Sequence, residues 1–193
     1  MKKSFFLVFG GFLGLLLLLG AWFISVNNSL VSLNERTQEK WSQVENVYQR
    51  RADLIPNIVN TVKGYAKHES QVLEEVTRAR AQVGKVQMSG PEDLQKFNAT
   101  QTQLTQSLSR LLVVTERYPE LKADRNFLEL QSQLEGTENR ITIERMRFNE
   151  ATQEYNSYLK RFPQSIVAGM RNFKERPYFQ AETTAKTAPK VEF

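Results

Sequence analysis

The stretch "RRADLIPNIVNTVKGYAKHE", Arg50 to Glu69, governs how the chain is to be read. Leu54–Ile55, Ile58–Val59, Val62 and Tyr65 recur at steps of three and four, the spacing that lines one face of a helix. Pro56 sits inside that pattern, where proline removes a backbone donor and crowds the carbonyl four residues upstream. Two arginines and an aspartate stand at one end, and the chain's single histidine, His68, closes the other. The stretch is therefore a ligand site, a helix break or one wall of a core. Bundle carboxylate metal sites pair Glu-x-x-His motifs from two helices. Here the residue three before His68 is Tyr65, and the chain contains no cysteine, so His68 reads as a surface or capping residue. A core wall remains, with the helix bent near Ala52 by Pro56. Asp53 is expected to cap the segment that restarts at the proline, with Arg50 or Arg51 balancing its charge.

Upstream, Trp41, Val44 and Tyr48 extend the same stripe. Downstream, Val72–Leu73, Val76, Ala79, Val83 and Val86 make a second stripe. "SGPEDLQKF" then breaks and restarts the chain, with Ser89 placed as an N-cap and Pro91 in a first helical turn. Leu94, Phe97, Leu104, Leu108 and Leu111–Leu112 form a third stripe that skips a polar beat at Gln101. "ERYPELKADRN" interrupts again, because Pro119 disfavours helix at Tyr118. From Phe127 a fourth stripe runs through Leu130, Leu134, Ile141, Phe148, Ala151, Tyr155 and Leu159 to Phe162, about 38 residues or ~57 Å of helix. Long amphipathic helices with short connections bury their stripes only against one another. The expected fold is all-α, a four-helix-bundle-like antiparallel arrangement. Sustained periodicity is equally compatible with an intermolecular coiled coil, which leaves a homo-oligomer open. "FPQSIVAGM" has room for one short helix.

Residues 5–26, "FFLVFGGFLGLLLLLGAWFISV", carry no charge and as a helix reach ~33 Å, enough to cross a bilayer. The run exceeds the ~7–15 apolar residues of a cleaved signal peptide, so it reads as an uncleaved signal anchor. Trp22 suits the interface at its far end. The expected organisation is a short flank at 1–4, a transmembrane helix at 5–26, a helical domain at 27–179 and a flexible tail at 180–193. Lys2 and Lys3 flank the span on one side, while no base follows it until Arg36. The positive-inside rule then keeps the N-terminus cytoplasmic and the bundle extracytoplasmic. The net charge of +5 is not a nucleic-acid footprint. Residues 4–159 hold 17 bases and 18 acids, and the excess lies at the two ends.

Chemistry-bearing motifs are sparse. The chain lacks G-x-S-x-G, H-E-x-x-H and a phosphate-binding G-x-x-x-x-G-K-[ST] loop, and nothing in it calls for a cofactor. Gly10 and Gly14 make one weak GxxxG match within the apolar run. Two polar groupings remain as candidate partner-binding or structural clusters: Arg50, Arg51, Asp53 and Asn57, and Glu135, Glu138, Asn139 and Arg140. The second either faces solvent or forms a polar layer that sets helix register. Gly136 mid-helix costs ~1 kcal/mol against alanine, which points to close helix contact there. Trp41, Tyr48, Phe97, Phe127, Phe148 and Tyr155 fall on the stripes and read as core. "RNFKERPYF" mixes Arg171, Lys174 and Arg176 with Phe173, Tyr178 and Phe179 and either touches anionic headgroups or packs its aromatics on the bundle; docking is the reading kept, because an exported bundle does not reach the anionic cytoplasmic leaflet.

"WSQVENVYQRRADLIPNIVNTVKGYAKHE", "RYPELKADRNFLELQSQLEGTENRI", "RFNEATQEYNSYL" and "RPYF" occur in order after one N-terminal span and closely resemble the LemA family of bacterial membrane proteins. The likeness covers Asn28 to Phe179. It implies a helical, bundle-like domain on the bacterial cytoplasmic membrane and implies no reaction, so no catalytic residue carries over. The expected role is a membrane-anchored interaction or scaffold protein, held in the bilayer by residues 5–26 and binding another protein, and not an enzyme. The alternatives are an enzyme with its site among the polar bundle residues, or a protein that binds anionic lipid and shapes the membrane.

Overall fold

The computed structural model describes residues 2–85 and 91–180, and among these it contains helices and no strand. The elements are α1 (Lys2–Tyr65), α2 (Ser70–Val83), α3 (Pro91–Thr115), α4 (Pro119–Lys122), α5 (Arg125–Lys160) and α6 (Gln164–Met170). The all-α expectation therefore holds. Val86, Ser89 and the tail at 181–193 lie outside the described residues. The described residues divide into two compact units: those up to Trp41 with Glu150–Arg176, and Ser42–Asn149 with the segment 177–180.

Helix α1 passes through Pro56 without ending. The proline leaves the carbonyl of Ala52 without the N–H that a regular helix would supply. Arg80 of α2 fills the gap, its Nε donating to Ala52 O at 2.8 Å. The expectation that Asp53 caps a restarting helix fails for the same reason: with the orphan carbonyl satisfied from outside, there is no new N-terminus to cap. Asp53 instead accepts from Gln49 Nε2 at 2.8 Å.

In the larger unit, Ile55, Ile58 and Val62 of α1 share a core with Leu73, Val76 and Ala79 of α2, Leu104, Leu108 and Leu111 of α3, Leu121 of α4, and Phe127 and Leu134 of α5. Each large side chain among them contributes about 1.5–3 kcal/mol by leaving water. Cross-helix pairs give the direction of packing. Arg51 meets Glu138 and Tyr65 meets Asp124, so α1 and α5 run antiparallel. Tyr118, just past α3, bonds Glu69, and Arg110 meets Glu75, so α2 and α3 are antiparallel too. Asp124 caps α5 by accepting the Phe127 amide at 2.9 Å and the Tyr65 hydroxyl at 3.0 Å. These two bonds, the amide first, hold its carboxyl below the ordinary aspartate value.

Three expectations about the stripes are corrected. Tyr65 is 41% exposed, because its hydroxyl turns out to Asp124, and Ala66 takes the core position. Phe162 lies beyond the end of α5 and is 82% exposed. Gly136 has no close neighbour: a Cβ placed there meets open space, so helix contact does not explain it.

In the smaller unit, Val26 and Leu30 of α1 pack with Tyr155 of α5 and Val167 and Ala168 of α6, flanked by Trp22 and Phe23. Trp22 thus leans on protein. Thr37 Oγ1 donates to Leu33 O at 2.9 Å within α1, and Arg36 pairs with Glu154 at 2.5 Å. Of the described helices one, α1, is long and apolar enough to cross a membrane by length and composition. Its side chains at Phe12, Leu13 and Leu15 to Leu19 are exposed.

The segment after α6 docks by its backbone. Asn156 Nδ2 donates to Arg176 O at 2.8 Å, and Arg176 N returns a bond to Asn156 Oδ1 at 2.9 Å. In the larger unit Asn149 makes the same two-way clasp with Phe179, at 3.0 and 2.9 Å. Phe179 is buried edge-on to Phe148, with the Arg145 guanidinium 4.7 Å from its ring centre.

Replacing Arg80 by methionine should cost about 1–3 kcal/mol, since it strands a buried carbonyl. In a Pro56→Ala background most of that cost should vanish, because residue 56 then donates to Ala52 itself. Urea unfolding of the detergent-solubilised chain, followed by circular dichroism, reads this cycle. In the same assay Gly136→Ala should stabilise by about 1 kcal/mol. A destabilised Gly136→Ala would show that a contact crosses that site after all.

Candidate functional site

Three of the apolar stripes are each interrupted by a polar residue. On α1, Arg51 occupies the stripe position between Tyr48 and Ile55. On α3, Gln101 stands between Phe97 and Leu104, and on α5, Thr137 and Glu138 separate Leu134 from Ile141. Packing brings Arg51, Gln101 and Glu138 to one level of the larger unit. Arg51 is only 1% exposed and is the largest fully buried side chain among the described residues. Its Nη1 donates to Glu138 Oε1 at 2.6 Å and to Thr105 Oγ1 at 3.0 Å. Its Nη2 donates to Gln101 Oε1. The guanidinium also lies over the Tyr48 ring, 5.1 Å from its centre, and Tyr48 meets Phe97 edge to face.

The electrostatics follow from that geometry. Arginine stays charged in proteins, so its burial is tolerable only with a counter-charge and hydrogen bonds. Glu138 supplies the charge from a side chain that is 41% exposed, so the layer opens to solvent at one end. Burial pushes the Tyr48 hydroxyl above its ordinary value, opposed by the guanidinium groups of Arg145 and Arg51. Two buried donors, Arg51 Nε and Gln101 Nε2, have no acceptor among the described residues. The layer can thus hold one carboxylate and fix how the helices register. It presents no nucleophile beside a base. Among the described residues there is also no group of three or more His, Cys, Asp or Glu arranged to hold a metal.

The eight sequence candidates separate. Arg51 and Glu138 come together as the ion pair. Arg50, Asp53, Asn57, Glu135, Asn139 and Arg140 are exposed, with Glu135 accepting from Gln131 at 3.0 Å. Of the two readings for the Glu135–Arg140 group, the polar layer describes Glu138 and solvent exposure describes its neighbours. Gln101, Thr105 and Tyr48 belong to the layer and are not among the sequence candidates. Gln101 does carry a signal, the polar beat in an apolar stripe; at Arg51 the same signal is hidden by proximity to Asp53. In the smaller unit an open groove of about 780 Å³ runs along α1 past Ser25, Asn28, Ser29 and Ser32 to Tyr158, with hydroxyls but no base among its lining residues.

Glu138→Gln leaves a buried guanidinium without its counter-charge and should cost about 1–3 kcal/mol. Arg51→Met, which removes the buried charge and keeps an apolar chain of similar length, should cost less. Denaturant unfolding of both variants and of the double variant gives the coupling; equal costs with no coupling would mean the pair is unimportant.

The chain is 26% identical over 181 residues to "Magnetosome protein MamQ 2" of Paramagnetospirillum magneticum, covering 83% of this chain and 66% of the relative. It is 24% identical over 181 residues to "Magnetosome protein MamQ" of Magnetospirillum gryphiswaldense, with the same coverage. It is 22% identical over 185 residues to "Protein LemA" of Metamycoplasma hominis, covering 93% of this chain and 80% of the relative. The chain thus spans just under two thirds of the length of the MamQ relatives. The model of the LemA family matches residues 40–193, which include the whole polar layer, and the chain belongs to that family.

Proposed function

We propose that this protein is a single-pass membrane anchor carrying a helical interaction module, with the bundle on the extracytoplasmic face of the bacterial cytoplasmic membrane. The observation that carries the reading is the continuity of α1: one helix of 64 residues holds both the apolar run and a wall of the bundle core. An apolar run whose side chains face outward needs an apolar surrounding, and a bilayer supplies it. No loop then separates anchor from module along the chain. The polar layer supports an architectural role, because its two charged members, Arg51 and Glu138, pair with each other. An enzymatic reading needs convergent groups around a concave space, and six of the eight candidate residues are exposed to solvent. Proteins named for the magnetosome and a protein named LemA share this region, which supports a module put to more than one use.

Protease added to intact spheroplasts should cleave the bundle; full protection from outside would overturn the orientation. A photo-crosslinking residue at Leu128 or Met146, exposed apolar positions of the larger unit, should give a discrete adduct with one partner or a second copy. Only diffuse adducts, matching those from the charged position Arg140, would count against an interaction module.

A further inference from the structure

Helix α6 has two apolar faces, and its own unit covers just one of them. Val167 and Ala168 pack against Val26 and Leu30 of α1. Ile166 and Met170 face the other way, 52% and 72% exposed, and Phe162, in the turn before the helix, is 82% exposed. Three large apolar side chains exposed within nine residues are costly in water, and they have a definite place on the chain.

That place is the exit of the apolar run. Twenty residues from Phe5 reach Ile24, and as a helix they match the ~30 Å hydrocarbon core of a bilayer. The headgroup layer adds about 5–8 Å on each side, which corresponds to roughly the next three to five residues of α1. Of the residues on which α6 rests, Val26 lies inside that layer and Leu30 just beyond it. Arg171, at the end of α6, bonds Asn27 in the same layer, its Nε donating to Asn27 Oδ1 at 3.1 Å. Charge points the same way. From Lys160 to Arg176 there are five bases and one acid, Glu175, which pairs with Lys160. Arg161, Arg171 and Lys174 are exposed.

We infer that α6 is an interfacial foot: Phe162, Ile166 and Met170 insert into the headgroup–acyl boundary of the bilayer that α1 crosses, while Arg161, Arg171 and Lys174 meet anionic headgroups. The inference rests on the anchored reading above. Its physical basis is that an amphipathic segment with basic flanks gains from apolar burial and from attraction to anionic lipid in the leaflet it meets. A foot held by α1 already lies at the right depth, so its insertion carries no separate cost of bringing it to the membrane.

The chain has no cysteine, so single cysteines are available as unique labels. Phe162→Cys, Ile166→Cys and Met170→Cys, with Leu17→Cys and Val113→Cys as references, are labelled with an environment-sensitive fluorophore. The full chain is reconstituted in vesicles of phosphatidylethanolamine and phosphatidylglycerol. Labels at 162, 166 and 170 should be quenched several-fold more by a spin-labelled lipid than by iodide, as at 17, while Val113 shows the reverse. If Leu17 behaves as lipid-immersed and the three α6 positions behave like Val113, the anchor stands and the foot is refuted. If α6 positions are shielded from both quenchers, protein covers that face and the foot is refuted. Iodide access at Leu17 would remove the anchored reading and the foot together.

Discussion

A proline within a helix leaves one carbonyl without its donor, and the length of α1 depends on where that donor is found. Ala52 O would be the weak point of a 64-residue helix that contributes to both units. Arg80, reaching from α2, supplies an N–H at 2.8 Å. The bond ties the second helix to the first near the proline, so the local defect becomes a tertiary contact. Without it the helix would have reason to end near Ala52, and the apolar run and the core wall would no longer belong to one element.

The second constraint is the buried guanidinium. An uncompensated charge in a helix bundle costs far more than any single apolar contact returns. Arg51 is accepted because side chains from two other helices present acceptors at the same level: Glu138 from α5, and Gln101 and Thr105 from α3. A shift of either helix by one turn would separate the guanidinium from its partners. The layer therefore selects one register among the many that leucine and isoleucine stripes would tolerate, a role attested for buried polar groups in coiled coils. The clasps of Asn149 and Asn156 act in a similar way on the segment after α6, since each amide both gives and takes a bond with one backbone residue.

Helices and their apolar faces are legible in the residues alone. Steps of three and four from Trp41 to Val62, and from Phe127 to Tyr155, are local properties, and most of the side chains they select are buried in the structure. The interruption at Tyr118–Pro119 is legible too, because proline acts on the backbone before it. So is the apolar run, which depends only on length and charge.

Packing between helices settles the fate of each polar group near a stripe. Arg51 and Arg50 are adjacent and chemically identical, yet one is buried and the other exposed. A helix turns by about 100° per residue, so neighbours point in different directions, and only the partner helices define which direction is inside. Asp53 resembles a cap in the sequence because the proline resembles an interruption; Arg80 on the orphan carbonyl removes the need for one. Gly136 resembles a contact and faces open space. Periodicity reports which face of a helix is apolar, whereas hydrogen-bond satisfaction across helices depends on positions that only packing brings within reach.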